Sequence, residues 1–93
     1  MFNNKAAVEL LYTHQFYALH DLLEDYWKHQ KEGPEKIKIQ ALLQLVVSMH
    51  HKQNNNHKGF EILYAKASTK LGLVKELSIS EIHRFLEKEL EII

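Results

Sequence analysis

The stretch EKIKIQALLQLVVSMHHKQ, residues 35–53, decides the fold because apolar side chains surround most of a helical circumference. Its large hydrophobic residues recur at helical spacing and are Ile37, Ile39, Leu42, Leu43, Leu45, Val46, Val47 and Met49. Such a helix, about 28 Å long, cannot face water along a broad side and is long enough to contact every other helix of a small domain. We therefore expect residues 35–53 to form the central apolar helix of the molecule.

Composition indicates one helical domain over residues 1–93. Hydrophobic residues make up 45% of the chain, which has 1 proline and 3 glycines, too few for a turn-rich β-protein. A chain of 93 residues leaves no room for a second core. There is no cysteine, which excludes disulfides, a thiolate nucleophile and cysteine-based metal sites and suits a reducing cytosol.

Local signals divide the rest of the chain into further helices. The residues that interrupt helical patterns are Asn3 or Asn4, Gly33 with Pro34, Asn54 to Asn56, Gly72 and Ser78. They leave a short first helix that ends near residues 13–15, helices over about 16–31 and 57–71, and a last helix opened by a capping box of Ser78 and Glu81. The expected fold is all-α: a compact array of four main helices plus a short N-terminal helix, with sequential helices roughly antiparallel.

From charge and hydropathy we expect neither a nucleic acid nor a membrane partner. Twelve basic residues balance twelve acidic ones, so no net field attracts the chain to an anionic polymer or surface. The longest apolar region, residues 37–49, contains polar residues and is too short to span a bilayer, and no stretch resembles a signal peptide. We expect a cytoplasmic protein.

Candidate functional residues lie on the second helix, in the stretch HDLLEDYWK that starts at His20. With about 100° per residue, His20, Glu24 and Trp27 occupy adjoining surface on successive turns. Asp21 and Asp25 are expected to point away. A histidine and a glutamate four positions apart can hydrogen-bond to each other or hold one metal ion, and a nearby indole excludes water from either arrangement.

The central helix supplies candidate partners for these residues. If the second and central helices pack antiparallel, Gln40 and Gln44 are expected to hydrogen-bond with the polar side chains of the second helix. His50 lies on the packed stripe of the central helix. The expected functional cluster therefore consists of His20, Glu24, Trp27, Gln40, Gln44 and His50.

Three interpretations of this cluster remain open. Buried polar side chains can pair with one another and fix the register of two helices, because an unsatisfied group costs about 1 to 3 kcal/mol. The cluster can instead line a small-molecule or catalytic pocket. It can also hold a divalent metal ion through His20, Glu24 and His50, although the pair on one helix supplies two ligands where zinc takes three or four. We favour the first interpretation, which requires no cofactor.

The other histidines are expected to be solvated, because they fall at helix ends or on polar faces: His14, His29, His51, His57 and His83. The chain has neither a glycine-rich phosphate loop nor a serine with a histidine and an acid arranged around it. No recognised catalytic motif is present, and we do not expect an enzyme.

The chain resembles the prokaryotic and plastid family named domain of unknown function 309 in three stretches: FYALHDLLEDYWK, GPEKIKIQALLQLVVSMHHKQNNN and HKGFEILYAKASTKL. The first resembles the family's signature of a histidine, an acid pair and a tryptophan, and the second its glutamine-bearing apolar helix that ends in histidine. The third resembles the helix that follows. The resemblance implies a small all-helical domain, supplies no reaction, and implies signature positions at His20, Glu24, Asp25 and Trp27, joined by Gln40, Gln44 and His50.

Two functions from different classes follow from these residues. The first is a non-enzymatic interaction or structural module that forms a homodimer or binds a protein partner, because the central helix is too apolar all round for a 93-residue monomer to bury easily. The alternative is a small-molecule or divalent-metal site, with catalysis left open, at His20, Glu24, Trp27 and His50.

Overall fold

The computed structural model describes all 93 residues as five helices with no strand. In chain order the helices are α1 (Asn4–Tyr12), α2 (Phe16–Lys28), α3 (Pro34–Gln53), α4 (His57–Leu71) and α5 (Ile79–Ile92). The prediction of an all-α array with four main helices and a short N-terminal helix is confirmed. None of the five helices combines the length and the apolar character needed to cross a bilayer.

The capping residues predicted from the sequence lie at the observed helix ends. The Asn3 side chain accepts a hydrogen bond from a backbone N–H in the first turn of α1 at 3.0 Å, and the Asn56 side chain does the same for α4 at 3.0 Å. Ser78 and Glu81 form the expected capping box at the start of α5. Gly72 ends α4 in the left-handed region, at φ 69°, which glycine adopts without steric cost.

α2 ends at Lys28, earlier than the predicted end near residue 31. The His29 Nδ1 lies 2.8 Å from the Asp25 carbonyl oxygen, and the Gln30 side chain donates to another carbonyl of the last turn at 3.2 Å. In a continuing helix the backbone N–H groups of these two residues would bond to the same carbonyls. Their side chains therefore occupy the carbonyl oxygens that would accept the backbone hydrogen bonds of a further turn.

α3 lies at the centre, with α2, α4 and α5 packed against it. α1 packs against α2 and α5 instead, so α3, although long enough to contact every other helix, does not pack against α1. Ile37, at 52%, is the one large hydrophobic residue of α3 that is exposed. The fully buried large side chains of the core are Leu11, Leu19, Leu23, Leu42, Leu45, Val46, Ile82, Leu86 and Leu90.

α3 and α4 make the most extensive contact between two helices in the fold. Ala41 and Ser48 of α3 and Ala67 of α4 have no exposed surface. Helix axes approach more closely where the side chains at the contact are small. At the start of α4, a Cβ on Gly59 would lie 2.8 Å from the His51 Cγ, so this contact requires glycine.

The capping box makes the start of α5 sensitive to acid. The backbone N–H of Ser78, then the Lys75 ammonium and the Ser78 side chain, lower the pKa of Glu81 from its ordinary 4.5 to about 2. A folded-state pKa below the unfolded value means that this stabilisation is complete above about pH 4.5 and is lost as the pH falls towards 2.

We expect Glu81→Gln to remove this acid sensitivity, because the amide cannot take up a proton in that range. The measurement is the melting temperature of the wild type and the variant at several values between about pH 5 and pH 2. The two proteins should converge as the pH falls. Glu61→Gln, at an exposed position of α4, is the matched control. A wild-type advantage that is the same at both ends of the range would contradict this assignment.

Candidate functional site

α2 brings His20 and Glu24 together, as their spacing predicts. The His20 Nε2 lies 3.1 Å from the Glu24 Oε2, one helical turn away. Asp21 also contacts the ring, with its Oδ1 3.4 Å from the His20 Nδ1. The expectation that Asp21 points away is therefore wrong, because Nδ1 is the ring nitrogen nearer the backbone and lies within reach of a short neighbouring carboxylate. Both nitrogens of the imidazole face an acidic side chain.

These contacts lie at the surface of one helix, and we call His20, Asp21 and Glu24 the ion-pair cluster. The His20 side chain is 23% exposed, that of Glu24 37% and that of Asp21 61%. The other oxygen of Glu24 faces the Lys28 ammonium at 3.7 Å, again on α2. Polar side chains that fix the register of two helices must contact each other across the helix interface. The ion pairs of this cluster lie within α2 and do not join it to α3.

Trp27 lies apart from this ion-pair cluster, in the last turn of α2. The Lys36 ammonium sits 5.0 Å from the centroid of its ring, and Lys36 also lies 3.1 Å from the Glu32 carboxylate. No hydrogen bond joins the indole to the polar side chains of α2 or α3. The indole therefore packs against Lys36, in the first turn of α3.

The glutamines of α3 do not complete the cluster. The Gln44 side chain accepts a hydrogen bond from the Lys70 ammonium of α4 at 3.0 Å, and Gln40, one turn earlier, makes no side-chain hydrogen bond. The predicted hydrogen bonds from these glutamines to α2 are therefore wrong. Gln44 lies on the side of α3 that α4 covers, and helical spacing alone does not tell which neighbour covers which side.

The Tyr17 ring lies near both His50 and the ion-pair cluster. The Tyr17 ring centroid lies 6.0 Å from that of His20 and 5.7 Å from that of His50, and Tyr17 itself is 63% exposed. The His50 Nε2 accepts a hydrogen bond from the Asn54 side chain at 3.2 Å, and its Nδ1 is buried without a partner. α2 and α3 thus meet here through Tyr17, and His50 shares no ion pair with His20.

The metal ligands that the sequence predicts are partly replaced. We expected His20, Glu24 and His50, whereas the structure brings one nitrogen or oxygen atom each of His20, Asp21 and Glu24 within 4.8 Å of one another. An imidazole with two carboxylates is a ligand set that zinc and manganese accept. For one ion to contact all three, these atoms must approach one another further, because nitrogen and oxygen ligands lie about 2.0 to 2.2 Å from a zinc ion.

A second pair of histidines lies between the α1–α2 turn and the start of α5. The rings of His14 and His83 are 5.1 Å apart between centroids, and the His83 Nε2 is buried without a hydrogen-bond partner. Burial, and then the neighbouring His14, lowers the pKa of His83, although Glu87 raises it. The expectation that His83 is solvated is therefore wrong. Its position, four residues after Ile79 on the apolar stripe of α5, was the signal available in the sequence.

We expect Glu24→Gln to change the free energy of unfolding by less than about 1 kcal/mol, because a partly exposed ion pair within one helix contributes little. Urea unfolding of the wild type and the variant measures this difference. Leu23→Ala, which removes a fully buried side chain from the same turn of α2, is the comparison and should cost about 2 to 5 kcal/mol. A loss of that size for Glu24→Gln would restore the structural interpretation of the pair.

The comparisons with known proteins agree with the resemblance drawn from the sequence. The family model described as "Domain of unknown function (DUF309)" matches residues 5–63, which span α1 to the first half of α4 and include the whole of α2 and α3. Neither a curated protein nor a solved structure matches the chain. The family assignment is thereby confirmed, and the chain belongs to the DUF309 family of domains of unknown function.

Proposed function

We propose that the protein is a non-enzymatic helical module of the cytoplasm that binds an acidic segment of another protein. The lack of cysteine suits a reducing compartment. The observation that supports binding is a groove along α5 with an apolar floor and a basic rim. We call it the α5 groove, and its floor consists of Ile37, Leu71, Leu73, Leu77 and Phe85.

The α5 groove exists because α4 and α5 both pack against α3 but not against each other. It comprises two cavities of about 440 and 470 Å³ that adjoin at Phe85 and Glu89, which line both. Ile37 is 52% exposed at one end of it. Grooves of this kind between helices accept the apolar anchors of an amphipathic helix, spaced three and four residues apart.

The rim of the α5 groove carries unpaired positive charge. Both acidic residues that line it are already paired with lysines, at 2.8 and 3.0 Å: Glu89 with Lys38 and Glu81 with Lys75. The other charged side chains of the rim are basic and form no ion pair: Lys70, Arg84 and Lys88. A segment that docks here is expected to place carboxylates opposite them, because complementary charge speeds encounter and excludes wrong partners.

A second copy of the chain fits the α5 groove less well. In a twofold dimer the same patch meets itself, so the free cations of the two protomers would face each other. The homodimer that the apolar central helix predicted also loses support, because α3 leaves only Ile37 exposed among its large hydrophobic residues. Self-association stays a prediction, and sedimentation at several protein concentrations tests it.

A pair of model peptides tests the α5 groove. The probe is a fluorescently labelled amphipathic peptide with leucines at helical spacing and glutamates on its polar face, and the matched peptide carries lysines instead of glutamates. We expect fluorescence anisotropy to show binding of the acidic peptide and not of the basic one. The double variant Arg84→Glu, Lys88→Glu should reverse this preference because it inverts the charge of the rim.

The matched control reverses two exposed charges on α4 that lie outside the α5 groove, Lys58→Glu with Lys66→Glu. It changes the net charge by the same amount and should keep the preference for the acidic peptide. Equal binding of both peptides by the wild type would overturn the proposal. A preference for the basic peptide in both double variants would also overturn it, because binding would then depend on net charge and not on the α5 groove.

A second candidate function is the binding of a divalent cation by His20, Asp21 and Glu24. It is supported by the convergence of their ligand atoms within 4.8 Å at a partly exposed surface of α2. This function is independent of the α5 groove, since none of the three residues lines it.

Calorimetric titration with zinc, nickel and manganese chloride tests the cation site. We expect one ion per chain for at least one of these metals, and loss of binding in Asp21→Asn and in Glu24→Gln, because each variant removes a charged ligand. Asp25→Asn, at an exposed position of the same helix, should bind as the wild type does. Undiminished binding by Glu24→Gln would exclude this site.

A further inference from the structure

A small cavity of about 190 Å³ lies where the α1–α2 turn, the end of α3 and the start of α5 meet. Its lining includes His14, Phe16, Met49, Lys52, Ile79 and His83. None of these residues lines the α5 groove or belongs to the ion-pair cluster of α2. The cavity is therefore a separate place in the molecule.

The lining combines an apolar wall with basic side chains. Phe16 and Met49 are each 4% exposed, and Ile79 continues this wall. The lining residues that can carry charge are His14, His83 and Lys52, whose ammonium lies 5.3 Å from the centroid of the Phe60 ring, and no acidic residue lines the cavity. A pocket with an apolar wall and a few polar groups of one kind is typical of a site for a small organic molecule of the opposite charge.

Contacts around the cavity hold the two imidazoles in place. The rings of His14 and Phe16 stack with centroids 5.6 Å apart. The His83 ring meets them edge-on, with centroids 5.1 Å from His14 and 6.1 Å from Phe16. The Gln53 side chain donates to the His14 carbonyl oxygen at 3.0 Å and ties the α1–α2 turn to the end of α3. The backbone around the cavity is thus held in place.

His83 has an unused polar atom at this place. Its Nε2 is buried and has no hydrogen-bond partner, which is costly, so a small turn of the ring that brings this atom to the cavity is favoured once a ligand accepts its hydrogen bond. The charged and titratable groups around it are His14 on the α1–α2 turn, Lys52 on α3 and Glu87 on α5. Glu87 accepts a hydrogen bond from the Tyr12 hydroxyl of α1, so its carboxylate is already engaged.

The helix dipoles do not decide which charge this cavity accepts. α3 ends beside it with the negative pole of its dipole, and α5 begins beside it with the positive pole. The two effects oppose each other. The side chains therefore decide, and they favour an anion.

We propose that this cavity binds a small monocarboxylate with an apolar body. The carboxylate accepts a hydrogen bond from the His83 Nε2 and lies near the Lys52 ammonium, and the apolar body packs against Phe16 and Met49. A cavity of about 150 Å³ holds a benzene molecule. The 190 Å³ found here therefore suits an aryl or short aliphatic acid.

Binding of the acid is coupled to the uptake of a proton by His83. Burial and the neighbouring His14 lower the pKa of His83, so the free ring is neutral at pH 7. A bound carboxylate favours the imidazolium, whose Nε2–H donates the stronger hydrogen bond. The affinity is thus expected to fall by about tenfold per pH unit above the pKa of the free histidine.

Benzoate, titrated into the full chain while amide NMR spectra are recorded between about pH 6 and pH 8, tests this proposal. We expect saturable shifts around the cavity and tighter binding at the lower pH. Benzyl alcohol and benzylamine have the same body without the negative charge and should bind at least about tenfold more weakly. His83→Gln keeps a donor but cannot take up a proton, so it should abolish the pH dependence. Lys52→Gln should weaken binding across the range.

The matched controls are His57→Gln and Lys66→Gln, at exposed positions outside the cavity, and both should bind as the wild type does. Equal affinities for benzoate and benzyl alcohol, or benzoate shifts that do not saturate, would overturn the proposal. So would a pH dependence that survives in His83→Gln. If that variant does not fold, the three probes and Lys52→Gln still decide the question. A negative result for this cavity would not bear on the proposed function of the α5 groove, because the cavity and the groove share no residue.

Discussion

Burial of α3 on three sides is the constraint on which the rest of the structure depends. Its apolar residues surround most of the helix, so α2, α4 and α5 must each cover a different part of it. Because α4 and α5 cover parts that do not adjoin, a groove remains between them. Because α1 covers α2 and α5 instead of α3, the turn that follows it closes over the end of α3 and leaves the small cavity there. The α5 groove and the small cavity both result from the way in which the other helices cover α3.

The helices and their centre could be predicted because their signals are local. The apolar spacing within residues 35–53, the glycine at position 72 and the capping box at Ser78 each act within a few residues of the chain. The end of α2 was predicted too late because the side chains of His29 and Gln30 compete with their own backbone for the same carbonyls. That competition depends on side-chain geometry that apolar periodicity does not contain.

The candidate site was predictable only where its residues share a helix. Four-residue spacing correctly brought His20 to Glu24, because the geometry of one helix fixes that distance. Gln44 bonds to α4 rather than α2, since that choice depends on which neighbour covers each side of α3. The His83 Nε2 is buried for the same kind of reason: the packing of α5 beside the α1–α2 turn takes this atom out of water. Contacts between helices were therefore the part that the sequence alone left open.

The pairing of α1 with α5 joins the two ends of the chain. The Asn4 amide donates to the carbonyl oxygens of Leu90 at 2.7 Å and of Ile93 at 2.9 Å, whereas a short turn, residues 54–56, connects α3 to α4. Contacts between neighbouring segments cost less chain entropy than contacts between distant ones. The α3–α4 hairpin can therefore form early in folding. The core is complete only after α5 has packed against α1 and α3, and until then the apolar surface that α5 covers stays exposed.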